Sequence, residues 1–415
     1  MVSEFKEVIF ETLYAEPSRN GLTKPRSVRG KGYKMINMGE LFAYGRICNP
    51  PMDLVPLNEN EIKNTQMQEG DLLFARQSLI ASGAGKCSIV LKCPEITTFE
   101  SHLIRVRLNK KLCNPLFYYY YFSSPIGVEK TQSLVSQVAA AGIRGSELAK
   151  LYVHYIDIKI QDKIANVLSN YDDLIENNNK RIKILEEMAQ KIYKEWFVDF
   201  KFPNHETATF KQTDLGKIPT DWEVKQIGKE YKTYLGGTPS RNEEKYWNGN
   251  IPWLNSGKTN ELRITEASEY ITELGLEKSS TKLMPQYTTV LAITGATLGQ
   301  VSMLGSEMCA NQSVVGIYSD KNPEYVFYLM KDKIQKLVQS ASGGAQQHIN
   351  KDIVNEMRFV LPAETELNNF KNIVGPINKE IFNLLYKNRT LKQTRDLLLP
   401  RLISGEIDVE NMEIK

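Results

Sequence analysis

The chain has 415 residues, of which 41% are hydrophobic and 24% charged, with a net charge of +3. That is room for two or three compact domains and the composition of an ordinary folded protein, which argues against extensive disorder. No apolar run approaches the roughly 20 residues that span a bilayer, and the opening MVSEFKEVIFETL has neither the basic stretch nor the apolar core of a signal peptide. Five irregularly spaced cysteines, Cys48, Cys87, Cys93, Cys113 and Cys309, suit a reducing compartment, so a cytoplasmic protein is expected.

In chain order, the first distinctive stretch lies between Pro17 and Gly39. It holds six basic residues, Arg19, Lys24, Arg26, Arg29, Lys31 and Lys34, and no acidic one. Short β-like runs punctuated by Gly, Pro and Asn follow, among them Asp71-Leu72-Leu73-Phe74-Ala75. From Ile160 the pattern turns helical, with apolar positions at Ile164, Val167, Tyr171 and Leu174, then Asn178, then Ile182, Leu185, Met188, Ile192 and Trp196. Residues 201–214 read as a linker. A second series of β-like runs, including Thr289-Val290-Leu291-Ala292-Ile293, leads to a second helical pattern through Phe370, Ile373, Ile377, Ile381, Leu384, Asn388, Leu391, Leu398 and Leu402. Spacings that alternate between three and four mark the seam of a coiled coil. Asn178 and Asn388 stand at equivalent places on the two seams, where a polar residue sacrifices stability and pins register. Carboxylate pairs such as Asp172-Asp173 and Glu186-Glu187 read as the solvated face of the first helix.

The two halves repeat one another. Lys34-Met35-Ile36-Asn37-Met38-Gly39 answers Pro252-Trp253-Leu254-Asn255-Ser256-Gly257, and Asn114-Pro115-Leu116-Phe117-Tyr118 answers Asn322-Pro323-Glu324-Tyr325-Val326. Ile143, Ser146, Leu151, Val153 and Tyr155 fall opposite Ile349, Asp352, Met357, Phe359 and Leu361. Each half opens on an aromatic-led segment, Glu4 to Val8 and Asp221 to Val224. The expected fold is mixed α/β (α+β), with two similar domains joined by two long antiparallel coiled-coil helices in an internal pseudo-two-fold repeat. The boundaries expected are 1–155 for the first domain, 156–200 for the central helix and 215–362 for the second domain. The distal helix is expected at 363–403 and a C-terminal tail at 404–415.

Catalytic motifs fail on inspection. Asn49-Pro50-Pro51-Met52 has methionine where an amino-methyltransferase places an aromatic, and no glycine-rich loop follows a strand to hold S-adenosylmethionine. Ser82-Gly83-Ala84-Gly85-Lys86 lacks the first glycine of a phosphate loop, and Cys87 replaces its Ser or Thr. The four histidines are scattered, so no metal site is expected. Recognition chemistry fits better, because Arg, Lys, Asn and Gln read base edges and Lys and Arg anchor phosphates. The candidate DNA-binding residues are Lys24, Arg26, Arg29, Lys31, Lys34, Arg76 and Lys86 in the first half, and Arg241, Lys245, Lys258, Gln346 and Gln347 in the second.

Several stretches resemble the specificity subunit of type I restriction-modification systems. Gly70-Asp71-Leu72-Leu73-Phe74-Ala75-Arg76 is similar to a strand of that family. Gln161-Asp162-Lys163-Ile164-Ala165, Leu185 to Tyr193 and Trp196-Phe197-Val198-Asp199-Phe200 are similar to its central region, and Leu397 to Ile407 is similar to its distal region. The resemblance covers essentially the whole chain. It implies a non-catalytic subunit that binds double-stranded DNA, with each domain reading half of a split, asymmetric site and the paired helices setting the gap. It also implies modification (methyltransferase) subunits, two of them, and restriction (translocase) subunits as partners. S-adenosylmethionine, ATP and magnesium belong on those partners and none on this chain. Two other readings stay open, a stand-alone adenine-specific DNA methyltransferase and a coiled-coil scaffold whose heads do not bind DNA.

Overall fold

A computed structural model describes residues 5–78, 80–135, 141–340 and 349–410. The chain divides into two compact units, Met1–Ile175 with Thr390–Lys415, and Glu176–Arg389. Gln346 and Gln347 lie outside the described residues.

The first unit contains strands β1 (Lys6–Ile9), β2 (Tyr14–Asn20), β3 (Tyr33–Ile36), β4 (Arg46–Cys48) and β5 (Asp53–Val55). It continues with β6 (Leu72–Ala75), β7 (Cys87–Lys92), β8 (Thr97–Phe99), β9 (Leu103–Leu108) and β10 (Tyr152–Tyr155). A five-stranded sheet has the order β2-β9-β6-β7-β4, a three-stranded sheet the order β5-β3-β8, and β1 pairs with β10. Strand β6, Leu-Leu-Phe-Ala, is buried at every position, as a central strand covered on both faces must be. One face is covered by helix α1 (Pro115–Ser123), whose Phe117, Tyr118, Tyr121 and Phe122 are buried. Asn114 starts that helix by accepting from the backbone N–H groups of Leu116 and Phe117, with Pro115 in the first turn where no N–H is needed.

The second unit repeats this topology. Its strands are β11 (Glu223–Gln226), β12 (Lys232–Leu235), β13 (Trp247–Leu254), β14 (Arg263–Ile264) and β15 (Glu269–Ile271). They are followed by β16 (Thr289–Ala292), β17 (Val301–Leu304), β18 (Cys309–Ala310), β19 (Val314–Tyr318) and β20 (Arg358–Leu361). The five-stranded order is β12-β19-β16-β17-β14, the three-stranded order β15-β13-β18, and β11 pairs with β20. Directions repeat as well: β4 runs parallel to β7 as β14 does to β17, and β3 runs parallel to β8 as β13 does to β18. The helix equivalent to α1, α3 (Pro323–Ser340), again begins after an Asn and on a Pro. The internal repeat in the short sequence matches is therefore a repeat of strand order in the five-stranded sheet, the three-stranded sheet and the outer pair.

Two long helices, α2 (Ile158–Tyr193) and α4 (Glu364–Ile403), pass through both units. Within the first unit, Ile164 and Leu168 share a core with Leu399, Leu402 and Ile403, and Asp172 pairs with Arg395. Within the second, Asn178 Nδ2 donates to Asn388 Oδ1 at 2.8 Å, Arg181 pairs with Glu380 at 2.9 Å, and the rings of Tyr193 and Phe370 meet. Numbers rise on one helix as they fall on the other, so the pair is antiparallel in each unit.

The buried stripe of α2 differs in part from the one expected. Leu168, Asp172 and Ile175 are buried, whereas Leu174 and Met188 are exposed, as is Ile373 on α4. A regular helix turns 100° per residue, so a stripe shared with a sheet on one side and a helix on the other is wider than a two-helix seam. The expectation that Asp172-Asp173 and Glu186-Glu187 form a solvated face fails for Asp172 and Glu186. Asp172 is buried and Glu186 largely so, because arginines from the adjoining sheets reach them.

The segments flanking the helices are packed too. Phe202 is buried beside the Trp222 ring, and Phe210–Thr213 pairs with Gly216–Pro219 as a hairpin. After α4 the chain turns at Gly405, whose φ of +78° and approach to the Phe5 ring suit glycine, and Val409 is buried in the first unit. No helix among the described residues is long and apolar enough to cross a membrane.

Candidate nucleic-acid interface

In each unit the candidate cations gather where the five-stranded sheet hands over to the three-stranded one. In the first unit the connection from β2 to β3 carries Lys24, Arg26, Arg29 and Lys31. It is laid along the small sheet by Leu22 N–H to Phe99 O and Gly30 N–H to Leu54 O. Gly32 is required there, since its φ is +107° and a Cβ would stand 2.4 Å from the Val55 carbonyl oxygen.

Arg29 staples this connection. Its guanidinium donates to Lys24 O at 3.2 Å, Asn37 Oδ1 at 3.0 Å and Asp53 Oδ2 at 2.7 Å. Lys24 pairs with Glu61 at 2.8 Å, and that hydrogen bond holds the Glu61 carboxyl below the usual carboxylate range. Lys34 donates to both Glu95 and Asn49 at 2.8 Å. Arg76 reaches Ser101 O at 3.3 Å, while Lys86 donates to Phe42 O at 3.1 Å and lies 4.9 Å from the Phe42 ring centroid. Arg26 and Lys31 are exposed, and their side chains make no hydrogen bond or ion pair among the described residues. They are the candidate cations best placed to meet a phosphate.

The second unit builds the same place with other chemistry. Gly236 passes so close to Asn311 that a Cβ would lie 2.0 Å from its carbonyl oxygen. Arg241, just beyond, makes two hydrogen bonds to Glu269 on β15, at 2.5 and 2.8 Å, and lies 3.7 Å from the Trp247 ring centroid. The Arg241 hydrogen bond holds the Glu269 carboxyl below the usual carboxylate range. Arg241–Glu269 is the counterpart of Arg29–Asp53: each ties the connection ahead of the middle strand to the antiparallel edge strand of the small sheet. Lys245 pairs with Glu243 at 3.1 Å and Lys258 with Glu261 at 2.7 Å. Lys258 sits in the turn Ser256–Asn260, which Asn255 caps through Gly257 N–H, as Asn37 caps the helix Met38–Ala43 in the first unit.

At its bulge the second unit presents amide and aromatic groups outward, beside the exposed Arg241 and Lys245. The β13–β15 register slips between Trp247 and Ile251, and Asn248 takes φ +61° in that bulge. Asn248 and Asn250 are exposed, as is Tyr270 on the neighbouring strand. The carboxylates that engage most candidate cations were missed by sequence reasoning. Glu243 and Glu261 are close enough in sequence to have been found, whereas Glu61, Asp53, Glu95 and Glu269 arrive from other elements. Among the described residues no group of His, Cys, Asp and Glu is arranged to hold a metal ion.

Comparison with known proteins gives one answer. The profile described as "Type I restriction modification DNA specificity domain" matches residues 22–187 and again 219–392. The chain is 28% identical over 302 residues to the type I restriction enzyme MjaIX specificity subunit of Methanocaldococcus jannaschii, covering 71% of this chain and 70% of that one. It is 23% identical over 406 residues to the HindI specificity subunit of Haemophilus influenzae, covering 82% and 87%. In fold it is similar to the crystal structure of a type I restriction-modification S subunit from M. genitalium, with a TM-score of 0.61, 14% identity and 96% of each chain covered.

Proposed function

This chain belongs to the type I restriction-modification DNA specificity family, whose members recognise DNA sequence and do not catalyse, and from that premise we propose that it reads a split, asymmetric DNA site, one half-site per unit. The observation that carries this is one strand order built twice with different chemistry at the same place. The first unit offers Arg26 and Lys31 beside the stapled Arg29, and the second offers the Asn248–Asn250 bulge beside Arg241 stacked on Trp247. Two like folds with unlike surfaces suit two unlike half-sites. Lys24, Lys34, Arg76, Lys86, Lys245 and Lys258 belong to the same proposed DNA-binding surfaces, Lys86 and Lys245 among them exposed. Asn178 and Asn388 pin the register of the helices between the half-site readers. Two modification subunits and the restriction subunits assemble on this chain in the cytoplasm and bring the chemistry.

The test is a map of adenine methylation across the source genome, with the gene intact and deleted. Methylation at one split, asymmetric motif should vanish with the gene. Retention of every methylated motif in a strain with an active modification partner would overturn the reading.

The phosphate assignment has its own check. Arg26→Ala and Lys31→Ala should each reduce the slope of log affinity against log salt concentration by about 1, and weaken all sequences alike. Salt-titrated binding by the assembled complex measures this, and an unchanged slope would remove these two residues from the interface.

A further inference from the structure

Each unit sends one arginine out of its five-stranded sheet to the long helices. Arg46, on edge strand β4, pairs with Asp173 of α2 and lies 3.9 Å from Asp172. Asp172 also accepts from the Tyr120 hydroxyl of α1 at 2.6 Å and pairs with Arg395 of α4. Arg263 stands on β14, the strand equivalent to β4. It pairs with Glu186 of α2 at 3.2 Å and donates from Nε to Asn378 Oδ1 of α4 at 3.1 Å. Its guanidinium lies 3.8 Å from the Phe327 ring centroid, and the Tyr328 hydroxyl donates to Glu186 at 3.2 Å. Strand, helix tyrosine and helix carboxylate recur in both halves, although the acids stand at different places along α2.

Such nodes are a poor way to gain stability. Withdrawing two charges from water costs several kcal/mol per ion, and well-packed apolar residues commonly do as well or better. What an apolar contact lacks is direction. Two hydrophobic faces tolerate a small slide or rotation, whereas a planar guanidinium held by a carboxylate, an amide and a ring face has one satisfactory placement. Arg263 is almost wholly buried, and the carboxylate it meets belongs to the helix pair and not to its own sheet. Any slide of β14 along the helices would leave both charges buried and unpaired.

We propose that Arg46 and Arg263 are positioning residues, which fix the placement of each recognition fold on the paired helices and so sharpen the choice of spacer length between the two half-sites. This rests on the DNA-reading role above. Neither residue need touch DNA, and neither should alter which bases a half-site contains.

The test uses the complex of the full chain with its modification subunits. Its probes are duplexes carrying the split motif found by methylation mapping, with the native spacer or one base pair more or less. For Arg263→Met with Glu186→Met, the preference for the native spacer should fall severalfold, while base preference within each half-site and binding to the native duplex stay close to wild type. Tyr328→Phe removes the hydroxyl's two hydrogen bonds, to Glu186 and from Arg263, and no charge, and should move the same preference in the same direction by less; it decides the matter if the double variant fails to assemble. An unchanged spacer preference in either assembled variant overturns the inference and leaves the node a packing feature. Failure of the unaltered complex to bind any split motif would instead overturn the functional reading beneath it, so the two failures are separable.

Discussion

Replacing Arg263 by alanine is expected to destabilise the unit Glu176–Arg389 by about 3–5 kcal/mol, the usual cost of leaving one member of a buried ion pair without its partner. Glu186, with a side chain only 11% exposed, would lose its Arg263 partner, Asn378 Oδ1 its donor, and the Phe327 ring the nearer of its two cations. The measurement is urea denaturation followed by tryptophan fluorescence. All four tryptophans, Trp196, Trp222, Trp247 and Trp253, lie between residues 176 and 389, so the signal reports that unit alone. Removing both charges together, Arg263→Met with Glu186→Met, should restore stability to within about 1 kcal/mol of wild type or exceed it. A loss below about 1 kcal/mol for the single alanine would show that water reaches the pair, because exposed ion pairs are worth no more than that.

Trp222→Ala should have a comparable effect, about 3–5 kcal/mol, for a different reason. Trp222 is 1% exposed, and its ring meets Phe197, Phe200 and Phe202 at centroid distances of 5.8, 5.6 and 5.3 Å. Those three phenylalanines follow the end of α2, so the indole joins the helix to the strand that opens the second unit. Its Nε1 has no hydrogen-bond partner among the described residues, so Trp222→Phe loses volume and no hydrogen bond, and should cost clearly less than alanine. Denaturation midpoints of the two variants supply the comparison. Equal losses would mean that the indole N–H is bonded in solution.

These two residues mark the limits of what could be read in advance. Asp221-Trp222-Glu223-Val224 was legible as the opening of a second half because it repeats the position of Glu4 to Val8, and the corresponding strands β1 and β11 stand there. That Phe202 packs on Trp222 was not legible, because a polar, proline-containing stretch after a helix reads as linker whichever surface it lies on. Arg263 carries no sequence signal of its own, being a single charge in an ordinary run. In the sequence Asp172 and Glu186 read as solvent-facing, because a carboxylate on a helix says nothing of a cation arriving from 77 or more residues away.

The fold class, the duplication, the two long helices with their matched asparagines, and the family are all legible in the order of residues. Each of these is carried by local order: hydrophobic period, turn residues, and short runs recurring in sequence. Tertiary structure alone decided which cations are available. Six of the ten described candidates, Lys24, Arg29, Lys34, Arg241, Lys245 and Lys258, are held by carboxylates, four of those by acids contributed from other elements. A run of positive residues announces a potential, but screened attraction between side chains fades over about 8–10 Å and is blind to distance along the chain. Only folding brings Asp53, Glu61, Glu95 and Glu269 within that reach, and so leaves Arg26 and Lys31 facing outward.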